Sequence, residues 1–207
     1  MTPEERHRLP TDTENGLVLI ISGPSGVGKT TITRGVERRL PDAVFSVSTT
    51  TRPQTDRDVE GVDYHFVDDA TFDTFIAHDD LLEWAEVFGR RYGTPRAWVE
   101  EQRHRGRVVI LEIDVQGAIQ VRHRVPDALA LFILPPDDRT LFERLRDRRR
   151  ETEAEIERRF AEARREIDMA HESGVYDHFI VNDELERAIS EALRIVDDTH
   201  AARRGGG

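Results

Sequence analysis

Residues 16–31 read GLVLIISGPSGVGKTT. The first seven form an apolar run closed by Ser22, the pattern of a strand buried on both faces of a parallel sheet. Residues 23–30, GPSGVGKT, fit G-x-x-x-x-G-K-[ST] in full. Glycines let backbone N–H groups curl around a phosphate where Cβ atoms would obstruct the approach. A helix over 31–40, stopped by Pro41, would turn its positive N-terminal end toward the same anion. Lys29 can reach β- and γ-phosphates as a point charge, and the Thr30 hydroxyl can ligate Mg²⁺. Gly23, Ser25, Gly26, Val27, Gly28, Lys29, Thr30 and Thr31 are therefore the candidate triphosphate cradle. The strand before and the helix after are the context this loop requires. A phosphate cradle does not name a reaction, since GTPases, ATPases and small-molecule kinases share it.

Composition narrows the field. The chain has 207 residues, enough for one α/β domain with small insertions, and a formal net charge of −11. That charge argues against non-specific nucleic-acid binding. With no Cys, a disulfide scaffold, a thiol nucleophile and Cys-based zinc sites are excluded. No apolar stretch approaches the ~20 residues of a membrane span, and residues 1–15 are too polar for a signal peptide. A soluble cytoplasmic protein is expected. Of 30 basic residues, 29 are Arg, and the one Lys is Lys29. A chain that otherwise uses Arg throughout keeps its single ammonium for the loop, where a compact charge on a flexible stem is wanted.

Outward from the loop, further buried strands are expected at 43–48 (AVFSVS), 107–114 (RVVILEID), 128–134 (ALALFIL) and 179–181, with a short one at 64–67. Helices are expected at 70–78, 95–105, from 137 to 145, at 154–170 and at 185–196. Buried strands alternating with helices indicate an α/β doubly wound parallel sheet. The polar stretch near 49–96 interrupts the alternation like an inserted subdomain.

Eight motifs in order resemble the guanylate kinases, a family of nucleoside monophosphate kinases within the P-loop NTPases. They are GPSGVGKT (23–30), FSVSTTTR (45–52), GVDYHF (61–66), EWAEVFGRRYGT (83–94), EIDVQG (112–117), ILPP (133–136), RLRDR (144–148) and IVND (180–183). The resemblance implies a domain over 16–198, with a core at 16–47, 101–136 and 160–198. It implies a GMP-binding insert at 48–100 and a helical lid at 137–159, with disordered tails at 1–15 and 199–207.

The same resemblance implies the substrate contacts. Ser48 and Thr94 would be hydroxyl partners for the guanine edge, and Glu83 would accept from guanine N1–H and the exocyclic amine. A two-oxygen acceptor suits two adjacent donors, and adenine lacks that pattern. Arg52, Tyr64 and Tyr92 match the family's contacts to the GMP phosphate, where the Arg fork can bond two oxygens. Glu112 and Asp114 end a strand where an open α/β sheet receives its ligand, placed to orient arginines or the Mg²⁺ water shell. Arg144 and Arg159 would stabilise charge on the transferring phosphoryl group. Arg148 would lie near ATP, and Asn182 near its adenine.

Three departures stand out. Thr55 occupies the position of a second phosphate-binding Arg, with Arg57 two residues on as a substitute. Glu112 stands where Asp is usual. Arg149-Arg150 replaces the usual Gly-Thr of the lid.

The implied reaction is transfer of the ATP γ-phosphoryl to GMP, with ATP and Mg²⁺ required, by a monomer or homodimer. Three rivals are weighed. A non-catalytic binding module of the same fold should carry a degraded loop, and this loop is intact. A kinase for a ribose bisphosphate is kept open by Thr55, though it leaves Glu83 without purpose. A regulatory GTPase is disfavoured because no Asn-Lys-x-Asp motif is present.

Overall fold

The computed structural model describes residues 16–87, 89–146 and 152–205. Its larger sheet has five strands in the order β2-β7-β1-β8-β9, where β1 is Leu17–Ser22, β2 Ala43–Phe45, β7 Val108–Glu112, β8 Leu129–Leu134 and β9 His178–Val181. The β1–β8, β2–β7 and β8–β9 pairs are parallel. Every residue of β1 is buried, as are the first five of β8. This is why both read as continuous apolar runs rather than alternating ones. The α/β parallel-sheet class expected from the sequence is the one observed.

The smaller sheet has the order β4-β3-β6-β5, with β3 Thr49–Thr50, β4 His65–Phe66, β5 Leu81–Val87 and β6 Arg90–Pro95. The sequence reading assigned no strands to the last two. Their period-2 signal is masked because β5 turns Glu83 to its buried side and β6 contains Gly93 and Pro95. The single strand expected at 43–48 is instead β2 followed by a separate β3. The chain leaves the first sheet after Phe45 and joins the second at Thr49.

The helices are α1 (Lys29–Arg39), α2 (Asp69–Ala77), α3 (Arg96–His104), α4 (Val115–Arg124), α5 (Asp138–Arg146), α6 (Glu153–Ser173) and α7 (Leu185–Gly205). Helix α1 begins two residues earlier than expected because Gly28, at φ 93°, turns the loop directly into it. Helix α4 was not anticipated. Helix α7 runs to Gly205, so residues expected to fray after 198 are helical. The expected tail at 1–15 lies outside the described residues. Among the described residues no helix is long and apolar enough to cross a membrane.

The chain divides into two compact units. One comprises the described residues to Val18, Asp42–Leu111 and Gln116–Ala128, and holds the smaller sheet. The other comprises Leu19–Pro41, Glu112–Val115 and the chain from Leu129 onward. In the second unit α6 starts on a capping box, with Thr152 and Glu155 satisfying each other's main-chain N–H. Its Ile156, Phe160, Ala163 and Ile167 recur at helical spacing and pack on Leu141, Phe142 and Leu145 of α5. The adjacent face of α6 carries Arg159, Glu162 and Glu166, at i, i+3 and i+7.

Candidate nucleotide-binding sites

The loop over 23–30 joins β1 to α1. Gly26 and Gly28 take φ of 86° and 93°, which L side chains rarely adopt. A Cβ on Gly28 would also stand 2.8 Å from Asn182 Nδ2, and one on Gly26 2.8 Å from Leu145 Cδ2. Both glycines are thus required by backbone conformation, and a side chain at either would also displace the neighbouring side-chain tip. Lys29 Nζ donates to the Gly23 carbonyl at 2.7 Å, so the ammonium folds back across the loop's mouth.

Thr30 Oγ1 donates to Glu112 Oε1 at 2.6 Å. The other oxygen, Glu112 Oε2, is buried and has no hydrogen-bond partner. A hydroxyl beside a carboxylate oxygen with unused lone pairs is a donor set suited to a hard divalent cation such as Mg²⁺. The residues present fit the metal. Asp114 lies two residues beyond, past the end of β7.

Helices α5 and α6 bring arginines to the same loop. Arg159 Nη2 donates to Ser25 Oγ at 2.5 Å. Arg144 donates to the carbonyl of Asn182 at 3.0 Å and to that of Val27 at 3.4 Å. Asn182, 6% exposed, donates from Nδ2 to the Val27 carbonyl at 2.7 Å. A cleft of about 230 Å³ opens here, lined by Gly26, Gly28, Thr31, Arg144, Asn182 and Asp183 among others. Arg148 and the Arg149-Arg150 departure lie outside the described residues.

In the other unit, the smaller sheet assembles the remaining candidates. Glu83 on β5 and Thr94 on β6 are cross-strand partners, 4% and 1% exposed. The Thr94 hydroxyl donates to Glu83 Oε1 at 2.6 Å. Glu83 is therefore a buried strand carboxylate, not the surface helix acid its residue type alone would indicate. Ser48 immediately precedes β3, whose Thr49 pairs with Gly93 in antiparallel register. Continuing that register sets Ser48 opposite Thr94.

Arg52, Tyr64 and Tyr92 also come together. The two tyrosine rings meet edge to face at 5.6 Å, and the Arg52 guanidinium lies 5.2 Å from the Tyr64 centroid. Arg52 gives both terminal nitrogens to Asp58, at 2.9 and 2.8 Å. That pairing raises the guanidinium pKa and holds the Asp58 carboxyl well below the usual range, with Thr55 adding two further bonds. Thr55 itself donates to Asp58 from its amide and hydroxyl. The residue at the missing-Arg position thus closes the loop rather than facing a phosphate. Arg57 is exposed.

Sequence reasoning missed Asp58, which carries no motif signal.

The fold and the loop define a P-loop nucleotide-binding protein. The family model described as guanylate kinase matches residues 15–199. A guanylate kinase of Myxococcus xanthus (strain DK1622) is 46% identical over 181 residues, covering 87% of this chain and 86% of that protein. One of Gloeobacter violaceus is 48% identical over 179 residues, covering 86% of each. The crystal structure of guanylate kinase from Anaplasma phagocytophilum superposes with a TM-score of 0.71 at 30% identity, covering 91% of this chain and 88% of that one. The chain belongs to the guanylate kinase family.

Proposed function

We infer that this chain transfers the γ-phosphoryl group of ATP to the phosphate of GMP, giving ADP and GDP. The observation that carries the choice of acceptor is the buried Glu83 carboxylate paired with Thr94. Burying a carboxylate is costly unless donors meet it, and Thr94 supplies one. Guanine N1–H and its amine would supply two more, and Ser48 would complete the base edge. A sugar-phosphate acceptor presents no such pair of adjacent N–H donors.

The GMP phosphate would be held by Arg52, Tyr64 and Tyr92, with Arg57 reaching in where Thr55 cannot. A phosphate monoester is largely ionised at neutral pH, so the attacking oxygen needs no general base. Its lone pair forms the new bond to the γ-phosphorus as the bond to the β–γ bridging oxygen breaks, and ADP carries away the electron pair. Lys29, Arg144 and Arg159 would neutralise charge on the transferring group, with Arg148 on the donor side. The N–H groups of 23–31 would hold the donor phosphates, and Asn182 would border the adenine. Thr30 would ligate Mg²⁺, with Glu112 and Asp114 on its water shell. When bound, the ion would neutralise charge on the donor phosphates. Catalysis is then positioning and charge stabilisation. A cytoplasmic setting, a supply of nucleoside monophosphates for purine metabolism, and small-molecule substrates rather than nucleic acid or membrane complete the reading.

The test is ADP release in a coupled assay with ATP and Mg²⁺, comparing GMP, AMP, CMP, UMP and no acceptor. Release dependent on GMP alone is expected. Folded, ATP-binding protein that responds to no nucleotide would overturn the reading.

A further inference from the structure

Strand β5 is the last strand of the smaller sheet, so one side of its backbone meets no further strand. In an antiparallel pair, alternate residues turn their N–H and C=O away from the partner strand. Trp84 gives both of these groups to one side chain. Its N–H donates to Gln120 Oε1 at 3.2 Å, and Gln120 Nε2 donates to its carbonyl at 2.7 Å. The carboxamide thus stands where a residue of a neighbouring strand would. One helical turn on, Arg124 donates to the Leu81 carbonyl at 3.4 Å and to Asp79 at 2.9 Å. Gln120 and Arg124 are i and i+4 on α4, so one helix face holds the free edge of β5 on both sides of Glu83. All of these residues belong to the unit that carries the smaller sheet.

The held segment is the irregular part of the strand. Leu81 is opposite Pro95 and Glu83 opposite Thr94, so two steps along β5 answer one step along β6. Leu81, Leu82 and Glu83 are consecutively buried, at 4%, 2% and 4% exposed, which regular alternation does not permit. A bulge of this kind re-aims a side chain and interrupts the ladder. Here the side chain that follows it is Glu83, facing the Thr94 hydroxyl. Gln120 ties the strand at the very next residue.

We propose that Gln120 is a positioning residue for recognition of the acceptor base: by closing both backbone groups of Trp84 it fixes the bulged end of β5, so that Glu83 presents its carboxylate to guanine. The inference rests on the reading that Glu83 accepts from the guanine N–H groups. Gln120 acts through the strand. A carboxamide suits the task because it sets an acceptor and a donor side by side in one plane. Methionine has the length and neither group.

The test is calorimetry of GMP and ADP binding to the full chain. Gln120→Met is expected to weaken GMP binding about tenfold, the scale of the hydrogen bonds lost, with ADP within about twofold of wild type. In a Glu83→Gln background the same substitution is expected to change GMP affinity by less than about twofold, because the route through Glu83 is already cut. Should Gln120→Met not fold, Gln120→Asn draws the amide back by one methylene and carries the same test. Unchanged GMP affinity in the folded variant overturns the proposal. So does an equal loss in both backgrounds, or a parallel loss for ADP, since each marks general damage. Wild-type protein that binds no GMP overturns the base-reading role of Glu83 and the proposal with it. GMP bound without turnover overturns the phosphoryl-transfer reading alone, and the affinities still decide the role of Gln120.

Discussion

Asp58 receives both terminal nitrogens of Arg52, at 2.8 and 2.9 Å, and the same carboxylate takes the Thr55 amide and hydroxyl at 2.8 and 2.7 Å. The guanidinium assigned to the GMP phosphate is therefore engaged by an internal anion. A phosphate entering beside Tyr64 and Tyr92 competes with Asp58 for the fork. Arg52→Ala should raise the GMP KM by about ten- to a hundredfold, the range for charged hydrogen bonds, and leave the ATP KM alone. Asp58→Asn should lower the GMP KM about two- to threefold by weakening the competitor. Steady-state kinetics with GMP varied checks both, and a rise in the Asn variant would mean that Asp58 orients Arg52 rather than competing.

Thr55 is spent on Asp58, so on the proposed reading a second phosphate contact comes from another residue. Arg57 is exposed on the same turn. Arg57→Ala should raise the GMP KM by about threefold to tenfold, as loss of a solvent-accessible charged contact does. An unchanged KM would end this role for Arg57.

Lys29 is the sole lysine of the chain and folds across the loop to Gly23. Lys29→Ala and Lys29→Arg should each cost about a thousandfold or more in kcat, because neither a methyl group nor a planar fork places a point charge on the transferring phosphoryl group. Circular dichroism should show the fold intact. A folded Lys29→Ala variant with near-normal turnover would remove the centre of the mechanism.

Glu83 reads the base only if its charge is needed. Glu83→Gln keeps the shape but presents an N–H₂ where guanine also donates. GMP KM should rise about tenfold to a hundredfold, and the preference for GMP over AMP should shrink correspondingly. Acceptor competition between GMP and AMP measures the change directly.

Burial raises the Glu166 carboxyl from 4.5 to about 7, against the opposing pull of Lys29 and the Ser25 N–H. The folded protein thus keeps a proton that the unfolded chain releases between pH 4.5 and about 7, so this group's contribution to stability declines as pH rises across that window and is level above it. Glu166→Gln removes that decline. Urea midpoints taken at about pH 5 and about pH 7.5 should fall more steeply for wild type than for the Gln variant. Parallel behaviour of the two proteins would show that the carboxyl titrates in its ordinary range.

Much of the molecule was legible in order along the chain. The run at 16–22 followed by GPSGVGKT specified a buried strand, a phosphate loop and a helix, because each feature depends on residues adjacent in sequence. Apolar runs without alternation marked β7 and β8 as interior strands of a parallel sheet for the same reason, whereas β9, expected to be buried, is an edge strand with only Ile180 buried. The β5–β6 hairpin was hidden because its buried face carries Glu83. A strand that turns a carboxylate inward breaks the alternation by which strands are recognised.

What the tertiary structure decided are the pairings between distant residues. That Glu112 would take the Thr30 hydroxyl, that Asp58 would occupy Arg52, and that Arg159 would reach Ser25 each depends on which faces the elements present to one another. Local propensity specifies the elements and their chemistry. Side-chain partnership across 82 residues, as between Thr30 and Glu112, exists only once the core has packed and set those faces together.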